Sequence, residues 1–391
     1  MELLIDIFYN GVLALIVVFW ILGIRAPRVG KLMTVLKKHR KVVATVLWIA
    51  FLALASSFVL YFDYFDDIHD IDEAVDAGAV ATADGVNPYS VPVVPRFQEK
   101  YSDDLTWSNG TYNYLPLDLV VYTAAREVFG FLGTPVWFVV SNLAFSAMAF
   151  YLLRELVRVK WLSYVPFAGI VMLFYAFDNA SLTMLLMVAS MYAYSRFRTY
   201  PEVIAILLMT LAALTKAYAI FPLAVMVLFV LQRALAERSI AKTSRVVVAS
   251  VIGAAIGLAV ILPFGLTEVL DSAVFFHASE DARAGTSYGG TLLAEIASES
   301  ELFTYAAVAV MGLALVLSFL LRNMNDRVLL VIIAFLLVSV KSSQGTLTVA
   351  GLFLAIRLRE LADARKAKAL KAQMDASPPS EVSSQAPDQI T

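Results

Sequence analysis

Long apolar runs separated by short polar segments dominate the chain. The runs are continuous and do not alternate with polar residues, so they predict helices, and most approach the roughly 20 residues that cross a bilayer. Only helices and closed barrels satisfy their backbone groups inside lipid. We therefore expect an all-α polytopic membrane protein with about eleven transmembrane helices. The predicted spans are residues 5–24, 43–62, 134–154, 161–177, 180–196, 202–217, 219–234, 244–264, 302–321, 327–342 and 345–358.

The composition agrees with this pattern. Apolar residues make up 60% of the chain and charged residues 16%, against roughly 45–50% and 25% in soluble domains. The formal net charge is −2, so no nucleic-acid partner is expected. The chain has no cysteine, which excludes disulfides, thiolate metal sites and cysteine nucleophiles.

The basic residues predict an orientation, because lysine and arginine accumulate on the cytoplasmic side of membrane proteins. If the spans alternate, 24 of the 30 basic residues fall on one side. This places the N-terminus outside, the C-terminus in the cytoplasm and the protein in the plasma (cell) membrane. Residues 115–131 would break the alternation as a span. They contain Asp118, Arg126 and Glu127, so we interpret them as an amphipathic helix in the outer interface.

Three regions follow from this topology. Residues 1–42 form an extra transmembrane helix and a basic loop, and residues 43–358 form the main transmembrane domain. Residues 359–391 form a cytoplasmic tail that is partly disordered and begins with a basic helix near anionic lipid. Loops 63–133 and 265–301 lie outside, and long loops in a compact fold usually carry function.

The first outer loop opens with an acidic stretch that contains Asp66, Asp67 and Asp70. Clustered carboxylates raise one another's pKa, and one of them could then act as a general base. The same oxygens are also suitable ligands for Mg²⁺ or Mn²⁺. The residues alone leave both interpretations open.

Four cationic or titratable residues on the outer side are candidates for binding an anion. His277 and Arg283 precede a glycine-rich turn in the second outer loop, an arrangement suited to an anion. Lys216 and Lys341 lie in or at the ends of apolar helices. An ionisable residue at such a position is costly and is a functional candidate, although it could also extend to the surface.

Four sequence motifs, in this order, resemble integral-membrane glycosyltransferases of the GT-C fold. They are most similar to the polyprenyl-phosphate-sugar-dependent mannosyltransferases (glycosyltransferase family 87-like). The resemblance covers roughly residues 43–340. The motifs are an acidic start followed by Gly85-Val-Asn87-Pro88-Tyr89, the Tyr112-Asn113-Tyr114-Leu115-Pro116-Leu117 box, Lys216 followed by Tyr218 and Pro222, and Phe275, His277, Arg283, Ser287 and Gly290. Leu115 and Ala217 stand where the family usually has proline.

The resemblance implies a donor, an acceptor and roles for individual residues. The donor would be a polyprenyl-phosphate sugar within the membrane lipid, and the acceptor a glycolipid, lipid-linked glycan or glycoprotein. One of Asp66, Asp67 and Asp70 would be the catalytic base. Lys216, His277, Arg283 and Lys341 would bind the donor phosphate. The residues expected to contact the sugar or the acceptor are Asn87, Tyr89, Tyr112, Tyr114, Tyr218 and Ser287.

Two other classes of protein stay open. A polytopic transporter of a small polar or lipid-linked substrate would share the hydrophobic pattern. Transporters often contain internal repeats and helices broken near the membrane midplane. The sequence contains no evident repeat, and its outer charges cluster towards the surface. A structural membrane protein is the third class.

Overall fold

The structure is a computed structural model, and it describes residues 2–25, 40–62, 71–93, 111–275, 303–338 and 344–376. All regular structure in these ranges is helical. The helices, in chain order, are α1 (Glu2–Arg25), α2 (Arg40–Leu60), α3 (Ile71–Ala83), α4 (Pro116–Phe129), α5 (Val136–Val157), α6 (Trp161–Phe174), α7 (Ala180–Arg196), α8 (Pro201–Ala213), α9 (Ile220–Ala236), α10 (Ile240–Ile261), α11 (Leu266–Leu270), α12 (Phe303–Ser318), α13 (Met324–Val338) and α14 (Gln344–Ala376).

Each segment predicted to span the membrane coincides with a helix, but only four of the helices in the described ranges are long and apolar enough to cross it. These four are Lys41–Leu60, Val136–Val157, Ala217–Ala236 and Ile240–Phe264. They support a membrane protein. Shorter apolar helices include Pro201–Ala213 and Tyr305–Ser318. The predicted total of about eleven spans is therefore not confirmed.

Helix ends follow local sequence signals. Pro116 and Pro201 occupy the first turns of α4 and α8, where a missing N–H costs no hydrogen bond. Ser239 caps α10 by accepting a hydrogen bond from the backbone N–H of Lys242. Gly133, with φ of 77°, follows the short 3₁₀ turn after α4 and lets the chain turn into α5.

The main core surrounds α7, which packs against α5 and α8, while α8 also packs against α10. Small residues allow close approach. A Cβ on Gly253 of α10 would lie only 2.8 Å from the Oγ1 of Thr210 on α8. Helices α13 and α14 complete this core with fully buried side chains, including Leu329 and Phe353.

A second core lies where α3 and α4 cross, beside the N-terminal end of α5 and the C-terminal end of α10. It contains buried Val75, Tyr112, Leu119, Tyr122 and Trp137. The helix predicted for residues 115–131 corresponds to α4, Pro116–Phe129. Because Gly78 has no side chain, the ring of Tyr112 packs directly on α3.

A polar network joins α1, α13 and α14 beside the first residues of α13. The carboxylate of Asp326, 5% exposed, accepts hydrogen bonds from Trp20 at 2.9 Å and from Arg357 at 2.7 Å. Glu360 accepts from Asn323 and Asn325. Helix α14 runs without a break into the basic segment, so the predicted separate basic helix is the end of a longer one.

Candidate functional site

The turn after α3 is anchored to the end of α10 by Asn87. Its amide nitrogen donates to the carbonyl of Phe264 at 2.7 Å, and its side-chain oxygen accepts from the backbone N–H of Tyr89 at 3.1 Å. Gly85, with φ of 73°, permits the sharp turn that precedes Asn87. Asn87 therefore holds two parts of the site together.

Three of the predicted tyrosines form one aromatic cluster. The ring of Tyr112 meets those of Tyr89 and Tyr114 edge-on, with centroids 5.6 and 5.5 Å apart. The hydroxyl of Tyr89 donates to the carbonyl of Tyr114 at 2.7 Å. Tyr89 and Tyr112 are buried, at 3% and 0% exposure, whereas Tyr114 is half-buried. Tyr89 and Tyr112 therefore form the buried side of the cluster, and Tyr114 is the tyrosine closest to the protein surface.

Lys216 lies in the turn that joins α8 to α9. Its backbone is extended, and its Nζ stands 4.5 Å from the centroid of the Tyr114 ring. The carbonyl of Leu214 accepts from the backbone N–H of Leu117 at 3.2 Å, which fixes this turn against the start of α4. A cation over an aromatic face is stabilised by roughly 0.5–2 kcal/mol. The ring of Tyr218 packs on Phe335 of α13, with 6.1 Å between centroids, and Tyr218 also interacts electrostatically with Asp118.

Asp118 is the charged centre of the cluster. It is 0% exposed, and its Oδ2 accepts from the Tyr112 hydroxyl at 3.1 Å and from the Asn179 amide at 2.8 Å. Its Oδ1 has no hydrogen-bond partner among the described residues. Burial raises the pKa of Asp118 to about 7, although the charge of Lys216 and the bonds from Asn179 and Tyr112 act in the opposite direction. Its ionisation therefore changes near neutral pH.

A second polar layer lies behind Asp118. Asn142 of α5 accepts hydrogen bonds from Tyr122 and Ser181, and its amide donates to the carbonyl of Ala176 at 3.2 Å. Asn179 and Ser181 are both 0% exposed. This layer connects α4, α5 and the start of α7, so it holds the carboxylate in place.

The structure brings together part of the predicted site. Asn87, Tyr89, Tyr112, Tyr114 and Lys216 lie in one region although more than 100 residues separate the first from the last. Tyr218, close in sequence to Lys216, packs on Phe335 of α13 and also interacts electrostatically with Asp118. The remaining predicted residues lie outside the described ranges: Asp66, Asp67, Asp70, His277, Arg283, Ser287 and Lys341. The catalytic base therefore stays a prediction.

Sequence reasoning did not single out Asp118 and Asn179 as site residues. One signal was present for Asp118, because it lies on the same helical face as Leu115, Leu119 and Tyr122. A carboxylate on the apolar face of an amphipathic helix is expected to be buried. No comparable signal pointed to Asn179, whose partner lies 61 residues earlier in the chain.

The described part of the chain contains no candidate metal site. No three histidine, aspartate or glutamate residues within it group closely enough to hold an ion. The acidic stretch with Asp66, Asp67 and Asp70 lies outside it.

Comparison of the chain with protein-family models, curated proteins and solved structures finds no match.

Proposed function

We propose that the protein is an integral-membrane glycosyltransferase of the GT-C type. It would move a sugar from a polyprenyl-phosphate donor to a lipid, glycan or protein acceptor on the outer face of the membrane. The observation that carries this proposal is the position of Lys216 in the turn after α8, over the ring of Tyr114 and in electrostatic interaction with Asp118. The motifs that suggested the function come from separate parts of the sequence, and five of their residues, from Asn87 to Lys216, share this region.

The chemistry of the cluster suits a phosphate-linked sugar. Lys216 supplies a positive charge that can contact a phosphate oxygen, and the ring of Tyr114 offers an aromatic face for a sugar. Lys216 interacts electrostatically with Asp118, so this carboxylate can offset part of the lysine's charge when no anion is bound. The buried tyrosines behind it exclude water, which strengthens electrostatic interactions.

The proposed reaction forms a bond between an acceptor oxygen and the anomeric carbon. The bond from that carbon to the phosphate oxygen breaks, and polyprenyl phosphate leaves with the electron pair. One of Asp66, Asp67 and Asp70 takes the acceptor's proton, while Lys216 stabilises the charge on the departing phosphate. Because phosphate is already a good leaving group, the reaction has little need for a second acid. If Mg²⁺ or Mn²⁺ takes part, the same acidic stretch would hold it.

The predicted topology explains why the donor would be a lipid. About eleven spans with an external N-terminus place the turn after α8, which contains Lys216, on the outer side. Nucleotide sugars are made in the cytosol, so an outer site needs a donor that reaches it through the membrane. Helix α8 has 13 residues and is about 20 Å long, shorter than the roughly 30 Å hydrocarbon core. Lys216 would therefore lie below the outer surface, where a lipid-linked phosphate can approach it.

The test is a transfer assay with purified protein in nanodiscs. A panel of radiolabelled polyprenyl-phosphate sugars serves as donors, and a membrane lipid extract provides acceptors. We expect transfer from one donor and a loss of at least roughly 100-fold in Lys216→Met, since the lost contact acts on developing charge. Lys242→Met is the matched control, because Lys242 is an exposed lysine at the start of α10 that pairs with Glu237.

Two results would contradict the proposal. Full activity in Lys216→Met would remove Lys216 from the site. Absence of both transfer and donor binding, together with substrate flux in proteoliposomes, would instead favour a transporter.

A further inference from the structure

An open cavity lies between the C-terminal ends of α5 and α7. It is lined by Arg154, Glu155, Arg158, Tyr192 and Arg196, and its volume is about 370 Å³. Along both helices, this end is opposite to the one that carries Asn142 and Asn179. The cavity is therefore separate from the cluster around Lys216.

The charges around the cavity do not balance. Among the described residues that line it, three guanidinium groups face one carboxylate, that of Glu155. Arg154 forms an ion pair with this carboxylate, whereas Arg196 donates to the backbone carbonyl of Glu155 at 2.7 Å. The dipole at a helix C-terminus explains single cations at the ends of α5 and α7. It does not explain why three arginines converge on one cavity.

The position of the cavity indicates what could balance this charge. Helix α5 has 22 residues and is about 33 Å long, close to the thickness of the hydrocarbon core. Its end therefore lies at the depth of lipid headgroups. A guanidinium group matches the oxygens of a phosphate with two parallel hydrogen bonds. We propose that this cavity binds the phosphate group of an anionic membrane phospholipid. The proposal does not depend on the glycosyltransferase function.

The experiment compares lipid retention by the purified full-length protein with native mass spectrometry. The probes are phosphatidylglycerol and phosphatidylcholine, mixed at equal concentration in detergent. We expect the protein to retain phosphatidylglycerol preferentially. The double variant Arg158→Gln/Arg196→Gln should bind it roughly tenfold more weakly, as expected for lost charge-assisted bonds.

The double variant Arg238→Gln/Arg322→Gln is the matched control. Both arginines are exposed and follow helix C-termini, and neither lines the cavity. Arg238 also shares the left-handed backbone of Arg158, with φ of 51° and 53°. The control should keep the lipid preference of the unmodified protein.

Three outcomes would overturn the proposal. Equal losses in the two double variants would indicate a general attraction of basic surface to lipid. Equal retention of both lipids by the unmodified protein would show that the cavity does not select an anionic phospholipid. Displacement of phosphatidylglycerol by millimolar inorganic phosphate, with phosphate retained in its place, would identify a soluble anion as the ligand. Since the unmodified protein alone decides the second outcome, a variant that fails to fold does not remove the test.

Discussion

Asp118 shows how one residue can link the stability of the site to pH. Its carboxyl group is fully buried, and its pKa is raised to about 7 because burial disfavours the charged form. The unfolded chain has no such burial, so its carboxyl group ionises near pH 4. Between these values the folded state binds a proton that the unfolded state has lost.

The sign of the resulting pH dependence follows directly. Because the folded state holds more protons, the contribution of Asp118 to the free energy of unfolding is highest below about pH 4. This contribution falls as the pH rises to about 7. The slope from one such group is at most about 1.4 kcal/mol per pH unit. Asn cannot ionise, so Asp118→Asn should lack this loss of stability with rising pH. As the pH rises from 4 to 7, we expect the melting temperature of the unmodified protein to fall relative to that of the variant. Thermal unfolding in detergent, followed by tryptophan fluorescence, measures the difference.

Asp76→Asn provides the comparison for this prediction. Asp76 of α3 is half-buried and pairs with Arg126 of α4 at 2.7 Å. Loss of this ion pair should destabilise the protein, because the charge of Asp76 is already paired and its removal relieves no cost of burying a charge. A constant difference between Asp118→Asn and the unmodified protein over this pH range would contradict the assigned protonation.

The sequence was informative about Lys216 and less so about Asp118, for a physical reason. A lysine beside a long apolar run stands out, because few such positions tolerate a charge. Asp118 lies in an amphipathic helix, where a carboxylate can face water or protein. Its burial depends on Tyr112 and on Asn179, which is 61 residues away. Such contacts arise only when the helices are assembled.

At the level of elements, hydrophobic pattern predicted helix positions well. Segment 134–154 corresponds to Val136–Val157, and segment 115–131 to Pro116–Phe129. The last helix was the main difference, because it continues from Gln344 to Ala376. Its polar half contains no proline or glycine, and Arg359 pairs with Asp363 one turn later. Hydrophobicity marks where a helix meets lipid, whereas propensity and ion pairs decide where it ends.

The crossing of α3 and α4 gives a prediction at this scale. A Cβ on Gly78 would lie 2.5 Å from Cδ2 of Tyr112 and 3.2 Å from Cδ1 of Leu119. We expect Gly78→Ala to push the helices apart and destabilise the protein by about 1–3 kcal/mol. It should also weaken sugar transfer, because Tyr112 contacts both Asp118 and Tyr114. Thermal unfolding and the transfer assay measure the two effects.

Gly312→Ala is the matched control for this substitution. Gly312 also lies within a helix, and a Cβ there meets no atom within 4 Å. Alanine should be neutral or stabilising by up to about 1 kcal/mol, because it restricts the unfolded chain. Equal behaviour of the two variants would mean that the close contact at Gly78 is easily relieved.

For the whole molecule, the decisive property is orientation. The proposed lipid donor is needed only if the region of Lys216 and Asp118 lies outside. That placement rests on the distribution of basic residues, and the helix bundle alone is compatible with either direction. Orientation can be measured cleanly, because the chain contains no cysteine and each introduced thiol would be the only one to react.

Asp84→Cys and Arg238→Cys form a suitable pair. Both residues are exposed in turns that follow helices, the first beside the candidate site and the second at the opposite end of the bundle. With intact cells and a membrane-impermeant maleimide, we expect Asp84→Cys to be labelled. Arg238→Cys should react only after the membrane is permeabilised. The reverse pattern would place the site in the cytoplasm, where nucleotide sugars are available. The need for a lipid-linked donor would then disappear, even if Lys216 proved essential.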